Sequence, residues 1–180
     1  MRRSSVLLAL SLAVPFFRAP QAAAQRQEAT LSEGEVEQLR DAAYIANDRV
    51  MVFIKLINTR VKALEDLYAK PRRPGREQDT HDLMEQFTSL ANELEDNLED
   101  YSDRHRDIRK ALPKLIEASE RWGTAIRTPA DNAAYNVSRK IALESLDDVR
   151  QQANQVLEEQ KAWFAAHPPK KDENTDLAPR

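Results

Sequence analysis

Proline is nearly confined to the seams of this chain. After residue 24 it occurs at positions 71, 74, 113, 129, 168, 169 and 179. Between those positions apolar residues recur every three or four places, the spacing of a single helix face. Proline lacks an N–H and clashes with the preceding helical turn, so helices end or begin where it sits. Only Pro113 falls inside a periodic stretch. The chain is thereby restricted to a few long amphipathic helices, and an all-α fold is expected.

Local signals set the limits. Ser32 followed by Glu35 is a capping box. The stripe Val36, Leu39, Ala43, Ala46, Val50, Ile54, Ile57, Val61, Leu64, Tyr68 then predicts a helix over 32–70, with an extra step near Val50–Ile54 that reads as a stutter. Residues 71–78 form a connection, and Asp79 or Thr80 caps the next helix. A second stripe runs Leu83, Phe87, Ala91, Leu94, Leu98, Tyr101, His105, Ile108, Leu112, Leu115, Ser119, Trp122, Ile126. It predicts one continuous helix over 80–127, bent near Pro113. The alternative is a break near 102–107, giving a four-helix bundle. Thr128-Pro129-Ala130-Asp131 opens a last helix over 129–167, with the stripe Ala134, Val137, Ile141, Ser145/Leu146, Val149, Ala153, Val156/Leu157, Gln160, Trp163/Phe164.

Short connections demand antiparallel neighbours, so the expected architecture is an up-down-up bundle of three long helices over 32–167. Folding about residues 74–75 and 128 matches charges. The acidic run Glu93, Glu95, Asp96, Glu99, Asp100, Asp103 falls beside Arg49, Lys55, Arg150 and Lys161. The basic run Arg104, His105, Arg106, Arg109, Lys110 falls beside Glu33, Glu35, Glu37, Asp41, Asp147 and Asp148. Such matching disfavours slipped registers, although an exposed pair contributes only ~0–1 kcal/mol.

The N-terminus has three zones: Arg2-Arg3, an apolar run from Val6 to Phe17, and Ala22-Ala23-Ala24 before Gln25. This is the layout of a signal peptide, expected at 1–24, and its apolar run is shorter than the ~20 residues of a spanning helix. Residues 25–31 are a short lead. Residues 168–180 are polar and aperiodic, and a disordered tail is expected. Removing Arg2, Arg3 and Arg18 with the signal takes the net charge from −3 to −6. Nucleic acid is a poor partner for such a chain, because phosphate contact needs clustered positive charge. With no Cys, disulfides, thiolate metal sites and Cys nucleophiles are excluded. The three glycines leave no material for a phosphate-cradling loop. A periplasmic or secreted protein of a bacterial cell envelope is expected, with no stable membrane span after signal cleavage.

The sharpest local feature is the carboxylate run Glu95, Asp96, Glu99, Asp100, Asp103, a candidate cluster for a hard cation. Its plain reading is a solvated face balanced by neighbouring helices. His81 and Glu85 lie one turn apart but lack the matching Glu-x-x-His set of a helix-borne metal site. His105 lies on the apolar stripe and is expected to pack half-buried, and His167 falls at a helix C-terminus. Met51 and Met84 are expected to fill the core, and no cofactor is implied. Trp122 with Tyr135, and Trp163 with Phe164, are expected to plug opposite ends of the bundle, or to form an exposed aromatic patch for a partner or a lipid surface.

No motif of a hydrolase or metalloprotease is present, and a non-enzymatic protein is expected. The function expected is that of an interaction, scaffold or holdase-like module acting through charged helix faces. The alternative is a cation- or small-ligand-binding bundle. The partner would be another envelope protein or a second copy, paired in a homodimer through apolar faces at Met51–Phe53 and Met84–Phe87.

Overall fold

A computed structural model describes residues 31–168 of the chain. The expected signal peptide at 1–24, and the tail after residue 168, lie outside the described residues. Within them the chain is all-helical, with no strand. Five α-helices follow one another: α1 (Glu33–Asp41), α2 (Ala46–Ala69), α3 (Arg76–Asp103), α4 (Leu112–Arg127) and α5 (Asn136–Ala166). No described helix is long and apolar enough to cross a membrane.

The capping box forms as expected: the Ser32 N–H donates to Glu35 Oε2 at 2.9 Å. The single helix expected over 32–70 does not. A 3₁₀ turn at Ala42–Tyr44 and an extended Ile45 reverse the chain, and α1 lies back along α2. Three contacts fix that antiparallel register. Glu35 meets Arg60, Lys55 donates to Gln38 Oε1 at 2.7 Å, and Arg49 Nη1 donates to the Leu39 carbonyl at 3.1 Å. The fold-back buries Leu39. It also explains the extra apolar step near Val50–Ile54. With α1, α3 and α4 all packed on α2, its buried band is broad, taking in Val50, Phe53, Ile54, Leu56, Ile57 and Val61.

The α2–α3 connection turns at Gly75, whose φ of 84° lies in the left-handed region that a side chain disfavours. Helix α3 starts at Arg76, four residues before the expected Thr80. Thr80 is buried inside the helix and its hydroxyl donates to the Arg76 carbonyl at 2.8 Å.

The continuous helix expected over 80–127 is also interrupted. Helix α3 closes in a Schellman motif, with the Arg106 N–H bonded to the Tyr101 carbonyl at 2.8 Å and the His105 N–H to that of Ser102 at 3.0 Å. Pro113, expected to bend a helix, instead occupies the first turn of α4, where its missing N–H is not needed. The last helix starts at Asn136 rather than 129. The segment before it is consumed in a turn: Asn132 Oδ1 accepts the Ala134 N–H at 2.9 Å, and the Pro129 carbonyl accepts Arg139 Nη1 at 2.7 Å.

The four longer helices pack in a ring, α2–α3–α5–α4. Helices α2 and α3 are antiparallel, as the Tyr68–Thr80 and Arg60–Gln86 contacts require. Helices α4 and α5 are antiparallel, with Gly123 of α4 close to Leu146 of α5. The other two seams are parallel. His81 and Ser102 of α3 reach Ser138 and Glu159 of α5, and Asn58 of α2 reaches Trp122 of α4. The expected antiparallel pairing of residue 100 with residue 156 is thus replaced by a parallel seam that crosses it at nearly the same place. The core between the helices is filled by Phe53, Ile57, Phe87, Leu94, Leu115 and Trp122 among others, each worth about 1.5–3 kcal/mol when removed from water. Gly123 permits the α4–α5 approach, since a Cβ there would stand 3.2 Å from Leu146 Cδ2.

Candidate functional site

The ring has two ends. At the hairpin end three hydroxyls share a short chain of hydrogen bonds. Thr80 donates to Arg76, and Tyr135 donates to the Ala130 carbonyl at 2.6 Å. Tyr68 lies 3.0 Å from Thr80 Oγ1 and 3.3 Å from Tyr135 Oη, and its single proton serves one of them. Burial first, then the Tyr68 hydroxyl, pushes the Tyr135 phenol up to about 12. Tyr135 is therefore a buried strut between elements.

His81 lies in the parallel α3–α5 seam. Its Nδ1 is 3.1 Å from Ser138 Oγ and its Nε2 is 3.2 Å from Glu85 Oε1. A serine, an imidazole and a carboxylate in line resemble the parts of a nucleophilic triad. Two observations assign them a structural role. Ser138 is buried, and its hydroxyl also approaches the Tyr135 carbonyl at 3.1 Å as a donor. The trio ties α3 to α5 beside the Tyr68–Tyr135 pair.

Trp122 and Tyr135, grouped by the sequence, belong to different networks. Trp122 is fully buried, edge-on to Phe87, and its Nε1 donates to Asn58 Oδ1 at 2.8 Å. Phe53, Met84 and Phe87 are buried in the same core, and Met51 lies half-buried at its edge. The expected α5 stripe holds from Ser145 and Leu146 through Val149, Ala153, Val156 and Gln160, all buried, and fails only in the first two turns. There Val137 and Ile141 are exposed, while Ser138 and Ala142 are buried in their place.

The opposite, crossover end gathers the Ala42–Ile45 turn, the 104–111 segment and the end of α5. Buried Gln160 holds this segment by two bonds, accepting the Ile108 N–H at 3.0 Å and donating to the Arg106 carbonyl at 2.9 Å. Asn47 does the same from α2, donating to the Asp107 carbonyl at 2.6 Å and accepting the Ala111 N–H at 3.0 Å. Arg106 Nη2 donates to the Tyr44 carbonyl at 2.8 Å. His105, expected to be half-buried on a helical stripe, is exposed beyond the end of α3, with φ 52°. Its ring stacks on Trp163 at 4.3 Å, and His167 stacks on Trp163 at 4.5 Å. Arg109 lies over Phe164 at 4.2 Å and forks onto Asp107. Tyr44 and Ile45, which belong to no expected stripe, stand 88% and 58% exposed at this end. The signal that could have found them is Asn47-Asp48, residues suited to the start of a helix.

The acidic run lies along α3 and meets fewer cations than expected. Arg49 is 3.7 Å from Glu93, and Asp100 pairs with Arg104 at 2.7 Å. Lys55 goes to Gln38, Arg150 to Asp147 and Lys161 to Glu158. Glu95 faces Asp148 instead of a cation. Burial raises its pKa first, and Asp148, Asp96 and Glu99 add to it. Burial likewise raises Glu93, against the pull of Arg49. Asp96, Glu99 and Asp103 are exposed on the same helix, and among the described residues no three acidic, His or Cys side chains converge as metal ligands. A cavity of about 350 Å³ lies between α2 and α3, floored by Ala63, Leu67 and Leu83 and rimmed by Arg73, Asp79, Asp82 and Gln86. Its rim is self-paired, Arg73 to Asp79 at 2.5 Å.

No protein-family model matches the chain, and no curated protein or solved structure does so either.

Proposed function

We propose that this chain is an exported, non-enzymatic helical bundle that works as an interaction, scaffold or holdase-like module of a bacterial envelope, through the outer faces of its helices. The observation that carries the reading is where its polar interior is spent. Asn47, Asn58, Thr80, Ser138 and Gln160 each bond to another part of the chain, so they join elements. Apart from Arg49 Nε and Gln152 Oε1, buried without a partner among the described residues, the polar groups left over are mainly the charged side chains of the surface. Capture of an envelope protein by the purified chain, abolished by reversing charges on α3 or α5, tests it. Retention of nothing from envelope extract, together with no suppression of client aggregation, removes it. A fluorophosphonate probe tests the non-catalytic part, since covalent labelling of Ser138 would make the chain an enzyme.

A second reading has one observation in its favour, the unmatched proximity of Glu95 and Asp148. A cation bound by the run Glu95, Asp96, Glu99, Asp100 and Asp103 would relieve it. Melting with calcium and with EDTA decides this reading, which fails if the midpoint stays the same.

A further inference from the structure

Two arginines of α2 each touch both neighbours across one groove. Arg49 donates to the Leu39 carbonyl of α1 and lies 3.7 Å from Glu93 of α3. Arg60 meets Glu35 of α1 and donates to Gln86 Oε1 of α3 at 3.0 Å. Helix α1 therefore lies along the outer groove between α2 and α3, and it fills only part of it. Its first turn stops at Arg60 and Gln86, and Gln86 is also a rim residue of the cavity of about 350 Å³. The cavity is thus the open continuation of the seat that α1 occupies, with Ala63 and Leu67 of α2 and Leu83 of α3 as its apolar floor. Leu31, just ahead of the capping box, packs half-buried against the core. Because α1 runs antiparallel to α2, the chain ahead of Leu31 leaves α1 at the mouth of the cavity. The charges on the rim are of both signs. Arg73 pairs with Asp79 at 2.5 Å, whereas Asp82 accepts only the Gln78 amide, at 2.7 Å, and no cation pairs with it among the described residues. Residues 25–30 carry one cation, Arg26, one carboxylate, Glu28, and the small apolar Ala29.

We propose that the open part of the α2–α3 groove is the seat of this chain's own residues 25–30, which lie outside the described residues. Ala29 covers Ala63 and Leu67, Arg26 meets Asp82, and Glu28 falls between Arg60 and Arg73. The length suits this path. From Arg60 to Ala69 helix α2 rises about 14 Å at about 1.5 Å per residue, and six extended residues span at most about 20 Å. The tether adds to it, since a segment joined to its seat binds as if present at about millimolar concentration, and a small contact then suffices. A partner helix entering this groove has to displace the strap first. The seat needs no second protein, and it is independent of any partner bound along the other helix faces.

The chain has no cysteine, so an introduced pair reports proximity without background. In the full chain, disulfide formation between Ala29→Cys and Ala63→Cys is followed under mild oxidation. The control pairs Ala29→Cys with Lys62→Cys, a position equally exposed on α2 but turned about 100° around the helix from Ala63. The expected result is a bond within one chain that forms at least about tenfold faster with Ala63→Cys than with Lys62→Cys, because a seated segment presents its cysteine to one side of α2 while a free tether samples both. Arg26→Glu or Asp82→Lys, added to the Ala29–Ala63 pair, slows the reaction several-fold, and the two charge changes together restore it. Circular dichroism shows each variant folded. Equal rates for the two pairs, a bond between two chains in place of one within a chain, or charge variants that react like the parent would overturn the proposal, the second result assigning the groove to another copy.

Discussion

The imidazole of His105 lies 4.3 Å from the indole of Trp163, nearly parallel to it, and it is held there by a backbone turn that a histidine adopts at a cost. Closing α3 in the left-handed region costs a non-glycine residue about 1 kcal/mol, and the stack returns part of this. His105→Ala keeps the strain and loses the ring, so it should destabilise the fold by about 1 kcal/mol. His105→Gly loses the ring and the strain together and should melt near the parent or above it. A thermal melt of both variants checks the order, and an alanine variant as stable as the glycine one would mean the turn is not strained.

Gln160 holds two buried backbone groups at once, the Ile108 N–H and the Arg106 carbonyl. Gln160→Leu leaves both without a partner and should cost about 2–6 kcal/mol, since each orphaned group costs about 1–3 kcal/mol. Gln155, exposed on the same helix, should tolerate the same change. Urea denaturation measures the difference.

Stability in acid should turn on Glu35. The Arg60 hydrogen bonds chiefly, with help from Ser32 and against the cost of burial, lower its carboxyl from 4.5 to about 2. Because the folded value is the lower one, its contribution is complete above 4.5 and is lost as pH falls towards 2. The unscreened shift corresponds to about 3 kcal/mol, and solvent screening of a pair this near the surface reduces the contribution to about 1 kcal/mol. Glu35→Gln should be less stable at neutral pH and should flatten the stability profile within that window. An unchanged profile would show that α1 does not depend on the Glu35–Arg60 pair.

Glu95 should act with the opposite sign. Its carboxyl is raised, so the folded chain prefers it protonated and loses stability as pH rises above the ordinary carboxylate value. Glu95→Gln removes the repulsion from Asp148 and should stabilise the fold at neutral pH by a few tenths to about 1 kcal/mol. A loss of stability instead would mean that the ionised carboxylate is matched by a bound cation.

The sequence by itself determined the helical class, the capping box at Ser32, the end of α2 before Pro71 and the end of α5 before Pro168. These are local matters of caps, missing N–H groups and apolar spacing, each settled within one or two turns of chain. Tertiary structure alone decided where the long stripes break. Leu39 and Val50 are buried on either side of the turn at 42–45, and Tyr101, Ile108 and Leu112 are buried on either side of the Arg104 turn. The apolar spacing runs in phase through both breaks and cannot distinguish one rod from two helices folded together. Asn47 and Gln160, polar residues on otherwise apolar faces, carry the information, but only as partners of a segment some fifty or sixty positions away. Their meaning exists once four helices share a core, because only then are Ile108 and Ala111 buried and their backbone N–H groups in need of those two amides.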